Sequence, residues 1–220
     1  MHPGRVVLLV GMWSALVASC GDAPRSDADL AAAVRVEAHG CTDHPFAGGG
    51  SFVGDELVLT VAHVVAGADE VEVVFADGSE HESIVVAIDR QKDLAVLHVE
   101  ADVAPLRIGS MRNGQRGTFA AWRGAQFVST AFLAASSKAL HVDDIDHLGT
   151  GDRRGFVVEA DIDPGDSGSV LVVDGAAVGV LFARSTSSRG RAYATDISEA
   201  APLIRTDNEV AVDLGACTRP

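Results

Sequence analysis

Aromatic side chains are scarce in this 220-residue chain, 5% of positions with a single tyrosine, and no internal repeat or long helical run appears. Glycine is frequent, and valine and alanine dominate the apolar residues. That composition disfavours long helices and favours many short strands joined by tight turns. Cations are scarce too: 17 Lys and Arg stand against 31 Asp and Glu, a formal charge of -14, with no basic run. A nucleic-acid backbone would be repelled, which excludes it as a partner. The length suits one sizeable domain or two small barrels sharing an interface.

Long apolar runs are absent except for VVLLVGMWSALVA, Val6 to Ala18, which follows Arg5. It is too short and too terminal for a membrane span and has the form of a secretory h-region. Residues 1–19 are therefore read as a signal peptide. Val17-Ala18-Ser19-Cys20 resembles a bacterial lipobox, in which the cysteine receives a diacylglyceryl group; the alternative is ordinary cleavage near Ala18 with Cys20 incidental. On the lipoprotein reading, residues 20–30 are a lipidated cysteine and a polar, flexible tether.

Only two other cysteines exist, Cys41 and Cys217, near the two ends of the remaining chain. One leftover pair in an exported protein invites a disulfide. The rival is a metal site, since His39, Cys41, Asp43 and His44 crowd into six residues; no matching second cluster closes a tetrahedron, and the disulfide is preferred.

From Ala31 onward, short apolar segments recur about every ten residues between Gly, Asp, Asn or Pro, the spacing of an all-β sandwich or barrel. GGSFVGDELVLTVAHVV and SIVVAIDRQKDLAVLHV each read as one segment. The segments divide into two sets of about six, joined near Gly109 to Gly114. Asp77-Gly78 and Asp174-Gly175 are hairpin signals. Ile197 to Arg205 alone reads as a short helix, limited by Pro202.

DIDPGDSGSVL, Asp161 to Leu171, poses the functional question: its serine reads as a turn residue or as a nucleophile. Serine hydrolysis needs a base for the hydroxyl proton, a carboxylate to fix the base's tautomer, and donors for the oxyanion. His63 follows the apolar run LVLTVA. Asp93 opens the run LAVL, and this makes it a better candidate than Asp89, four residues earlier.

Taken together, TVAHVV, DLAVL and PGDSGSVL resemble the three signature elements of the trypsin/chymotrypsin-fold serine proteases, in the family's order. The match is narrower to bacterial HtrA/Deg-like and MarP-like periplasmic proteases and spans about Gly48 to Ile204. The resemblance implies two packed six-stranded antiparallel β-barrels with a site in the cleft between them. They would occupy about residues 31–109 and 114–207 of a protease domain at 31–207, followed by a tail at 208–220. It implies Ser167 as nucleophile, His63 as general base and Asp93 as the carboxylate orienting it. The N–H groups of Gly165 and Ser167 would form the oxyanion hole, and a polypeptide would be the substrate, with no cofactor and no metal.

Some positions depart from the family pattern. Ser169 stands where glycine is usual and Val170 where proline is common; a serine is small, so tolerance is expected at 169, and a narrowed back of the site is the alternative. No basic activation sequence precedes the barrel, so Asp166 is not expected to pair with a released N-terminus. Asp161 aligns with the floor of the primary specificity pocket and Arg184 with its wall; solvated positions for both are the alternative. The stretch His141-Val-Asp143-Asp144-Ile-Asp146-His147 has the make-up of a pH-responsive or cation-binding loop, but such a run is more often a solvated loop, and that reading is preferred. The expected protein is an exported, lipid-anchored serine endopeptidase. The alternatives are a catalytically silent binding protein on the same fold and a metal- or redox-sensing lipoprotein.

Overall fold

A computed structural model describes residues 27–205 and 210–217. The expected signal peptide, residues 1–19, and the expected lipidation site Cys20 lie outside the described residues. A short helix, α1 (Asp27–Ala31), leads into β1 (Ala33–His39), β2 (Phe46–Gly54) and β3 (Leu57–Thr60). The helical turn α2 (Ala62–Val65) follows, then β4 (Glu70–Val74), β5 (Glu80–Asp89) and β6 (Leu94–His98). These strands close into an antiparallel barrel in the order β1-β2-β3-β6-β5-β4.

The second half holds β7 (Arg107–Ile108), β8 (Arg116–Arg123), β9 (Gln126–Asp143), β10 (Thr150–Ala160), β11 (Val170–Val173), β12 (Ala176–Arg184) and β13 (Arg191–Asp196). They form a sheet ordered β11-β8-β9-β10-β13-β12-β7, and pairing of β11 with β12 brings six of the strands into a ring. A 3-10 turn (Ile197–Glu199) and α3 (Ala201–Ile204) return the chain to the first barrel, giving the expected short helix in two pieces.

Alternation along β11 explains how the halves are joined. Val170 and Val172 point into the core of the first barrel, while Leu171 and Val173 point into the core of the second. A strand of period two with both faces apolar is therefore buried on both sides. Burying Leu171 completely contributes about 1.5–3 kcal/mol, and it does so directly after the Ser167 loop.

Both long segments read as single pieces fold back on themselves instead. The first turns at Asp55–Glu56, with Glu56 at φ 57°, and the second at residues 90–93, with Asp93 at φ 54°. Neither turn carries the Asn-Gly or Asp-Gly signature that marks a tight hairpin, so local sequence gave no warning. At Asp174-Gly175, where the signature is present, both residues have positive φ, 51° and 68°, as a type I′ turn requires.

Cys41 and Cys217 are joined, with Cα atoms 5.7 Å apart and a sequence separation of 176. The bond removes the Cys41 thiolate from any metal set. The tail preceding Cys217 packs on the first barrel: Val212 N–H donates to Val85 O at 2.9 Å, and Arg90 donates to the carbonyls of Leu214 and Ala216 at 2.6 and 2.9 Å. In the chain-entropy account a crosslink over so long a loop contributes about 5 kcal/mol.

Candidate active site

His63 stands in α2, whose Ala62, Val64 and Val65 are all buried. The turn is anchored by those three, and His63 is left with its side chain 32% exposed. Thr60, at the end of β3, is fully buried and donates its hydroxyl to Gly49 O at 2.8 Å, tying β3 to β2 just before the helical turn.

Asp93 closes the turn between β5 and β6. Asp89 organises that turn, accepting the N–H groups of Gln91 and Lys92 on one carboxylate oxygen at 3.1 and 2.8 Å. Asp93 is thus released for another task. Its Oδ1 accepts the backbone N–H of His63 at 2.9 Å and its Oδ2 lies 2.8 Å from His63 Nδ1. The side chain is only 7% exposed. An ionised carboxylate is purely an acceptor, so Nδ1 carries the proton and the Nε2 lone pair is left for another partner. Two contacts from one carboxylate fix both the helical turn and the ring.

Ser167 reaches this place from the second barrel. Its carbonyl accepts Gly49 N–H at 2.7 Å. A Cβ added at Gly48 would lie 2.6 Å from Ser167 O and 2.8 Å from Val64 Cγ2, so Gly48 touches both the Ser167 backbone and the neighbour of His63. Gly168, at φ +90°, crosses β2 so closely that a Cβ would meet Gly49 O at 2.1 Å. Only glycine serves there, for conformation and for space. Gly165 has φ +96° with open space where a Cβ would sit. Among the described residues, no acceptor takes the N–H of Gly165 or of Ser167.

Asp166 is completely buried, and its partner is a side chain that sequence reasoning missed. Arg123, at the end of β8, donates Nη1 and Nη2 to its two oxygens at 2.6 and 2.7 Å. Arg123 Nε also lies 3.2 Å from Asp163 Oδ2, and the hydrogen bond to Asp166 raises the guanidinium pKa above its ordinary value. Asp166 Oδ2 in turn accepts the N–H of Asp163 at 2.8 Å, so the loop bearing Gly165 and Ser167 is braced from inside. The cation that pairs with Asp166 is thus an internal arginine. The only sequence signal was the need of any buried carboxylate for a cation. Arg123→Met leaves that carboxylate buried and unpaired; the expected loss is about 3–5 kcal/mol in urea denaturation, partly recovered by adding Asp166→Asn.

Ser169 is accommodated as a small side chain: it is buried just before β11, and its hydroxyl donates to Ala120 O at 2.9 Å on β8. Asp161 and Arg184 are both exposed, and among the described residues no ion pair joins them. His141 pairs with Asp152 at 2.7 Å, and His147 lies 3.9 Å from Asp143, all on exposed side chains around the β9–β10 turn. No group of three or more His, Cys, Asp or Glu among the described residues is arranged to hold a metal ion.

Residues 48–180 match the family model of the trypsin-like peptidase domain. A "probable periplasmic serine endoprotease DegP-like" of Halomonas elongata is 32% identical over 71% of this chain and 34% of its own length. Human serine protease HTRA4 is 30% identical over 72% of this chain and 35% of its own. The chain thus spans about a third of the length of these curated relatives. Among solved structures, the active form of the Rv3671c protease from M. tuberculosis superposes with a TM-score of 0.83 at 26% identity, covering 89% of each chain. The fold, the strand order and these matches agree: the chain belongs to the trypsin-like peptidase family, with the HtrA/DegP-like serine proteases.

Proposed function

We propose that this protein is an extracytoplasmic serine endopeptidase that cleaves polypeptides through an acyl-enzyme on Ser167. The observation that carries the reading is the double hydrogen bond from His63 to Asp93, made by a helical turn packed against the same β2 glycines that receive the Ser167 loop. His63 Nε2 takes the Ser167 hydroxyl proton as Oγ attacks the scissile carbonyl, and then gives it to the leaving amine. Asp93 stabilises the imidazolium formed between those steps. The N–H groups of Gly165 and Ser167 receive the oxyanion; loss of one such donor typically costs on the order of a hundredfold or more in rate. Water repeats the sequence to release the acid.

The periplasmic description of the Halomonas relative supports an extracytoplasmic location, and anchoring through a lipidated Cys20 belongs to this proposal. Asp161 and Arg184 are proposed to flank the cleft at which the substrate's P1 side chain is read. No helix of the described residues is long and apolar enough to cross a membrane.

The test is a fluorophosphonate probe applied to the purified protein between pH 5 and 8, with the adduct located by peptide mapping. Labelling on Ser167 that Ser167→Ala removes is the expected result. A correctly folded protein that takes no label across that range would overturn the catalytic reading in favour of a binding module on a protease fold.

A further inference from the structure

Among the described residues, Arg153 is the one buried arginine, and the chemistry above does not use it. It lies on β10, 4% exposed. Its guanidinium stacks on the ring of Phe182 with Cζ 3.9 Å from the centroid, and Nη1 donates to the carbonyl of Lys92. Its Nε–H has no acceptor among the described residues. Burial lowers its pKa, opposed by the charges of Asp93, Asp89 and Glu199. An incompletely paired buried cation adds little to stability, and an apolar replacement is often neutral or stabilising.

Its two contacts lie on the two halves of the site. Lys92 is the residue before Asp93, in the turn that holds Asp93 at positive φ. Phe182 follows Leu181, whose carbonyl accepts Gly168 N–H at 2.7 Å and whose N–H donates to Ser169 O at 3.0 Å. One planar group therefore touches the turn that presents the carboxylate and the strand that backs the nucleophile loop. The same turn is gripped further along by the β9–β10 hairpin: Ile145 N–H donates to Arg90 O at 3.3 Å, and Arg90 pairs with Asp146. Lys92 itself pairs with Glu199 at 3.0 Å.

We propose that Arg153 is a positioning residue: by holding the Lys92 carbonyl and stacking on Phe182, it sets the Asp93 carboxylate against His63 and in register with the Ser167 loop. The proposal rests on the catalytic reading above. Arginine suits the role where lysine does not, because its flat, delocalised cation stacks on a ring while an N–H still reaches a carbonyl.

The experiment compares wild type, Arg153→Met and Arg153→Lys by three readouts: melting temperature, kcat and KM on a peptide substrate, and the low-field proton NMR resonance of the His63 Nδ1–H shared with Asp93. For Arg153→Met the expected result is a melting temperature equal to or above wild type. Its kcat should fall about 10- to 100-fold with KM within twofold, as displacement of a catalytic group does, and its low-field resonance should broaden or move upfield. Arg153→Lys recovers part of kcat, because it still donates to Lys92 O.

Arg153→Met that folds with kcat and the resonance unchanged overturns the proposal. So does a variant that fails to fold or melts far lower, since the residue's worth would then lie in stability. Absence of the low-field resonance from wild type would count against the His63–Asp93 reading itself, and kcat would then decide the case for Arg153.

Discussion

Ser167→Ala and His63→Ala each lower kcat by on the order of a millionfold, and the double variant loses no more than either single one. The reason is that the two side chains perform one act. Without the serine there is no oxygen to attack; without the imidazole the hydroxyl keeps its proton and remains a poor nucleophile. A residual rate about 10³–10⁴ above water persists, because the oxyanion donors and substrate contacts survive both changes. Single-turnover measurements on a peptide ester and a peptide amide check this. Losses that add in the double variant would mean that the two residues act separately and would refute a shared proton transfer. Both variants fold normally, as neither side chain carries the buried contacts of α2 or of β11.

Asp93→Asn lowers kcat by on the order of 10⁴ without disturbing the fold. Asparagine is among the residues that best tolerate the left-handed backbone required at φ 54°, so the turn is kept. The amide oxygen still accepts the N–H of His63, where Oδ1 now does. The amide NH₂ then faces Nδ1, where Oδ2 now lies. It donates where the carboxylate accepted, which places the ring proton on Nε2 and removes the lone pair that Ser167 needs. An unchanged melting temperature with collapsed kcat is the expected pair of results. The low-field proton resonance should vanish as well, and its survival would show that the tautomer had not changed.

The strand spacing, the division into two sets and the order of His63, Asp93 and Ser167 were legible in sequence because each rests on local pattern: alternation, turn residues, and short motifs around one reactive side chain. Asp93 could be separated from Asp89 because the apolar run starts right after it, and the structure gives Asp89 the turn instead. What escaped was contact at long range. Nothing near Arg123 marks it as the partner of Asp166, 43 residues away. Tolerance of Ser169 followed from its small size, but its acceptor, the carbonyl of Ala120 on β8, lies 49 residues away in sequence. The turn at Glu56 was missed because glutamate rarely adopts positive φ.

The disulfide has a topological outcome. Because Cys41 is bonded to Cys217, the polypeptide between them is a covalent ring that runs out of the first barrel, through the whole of the second, and back. A single nick anywhere on that ring opens it without separating the pieces. A protease that clips its own connection at residues 99–115 would therefore migrate as one species until reduced. Its two halves, each contributing part of the site, would stay tethered at the concentration of a single molecule.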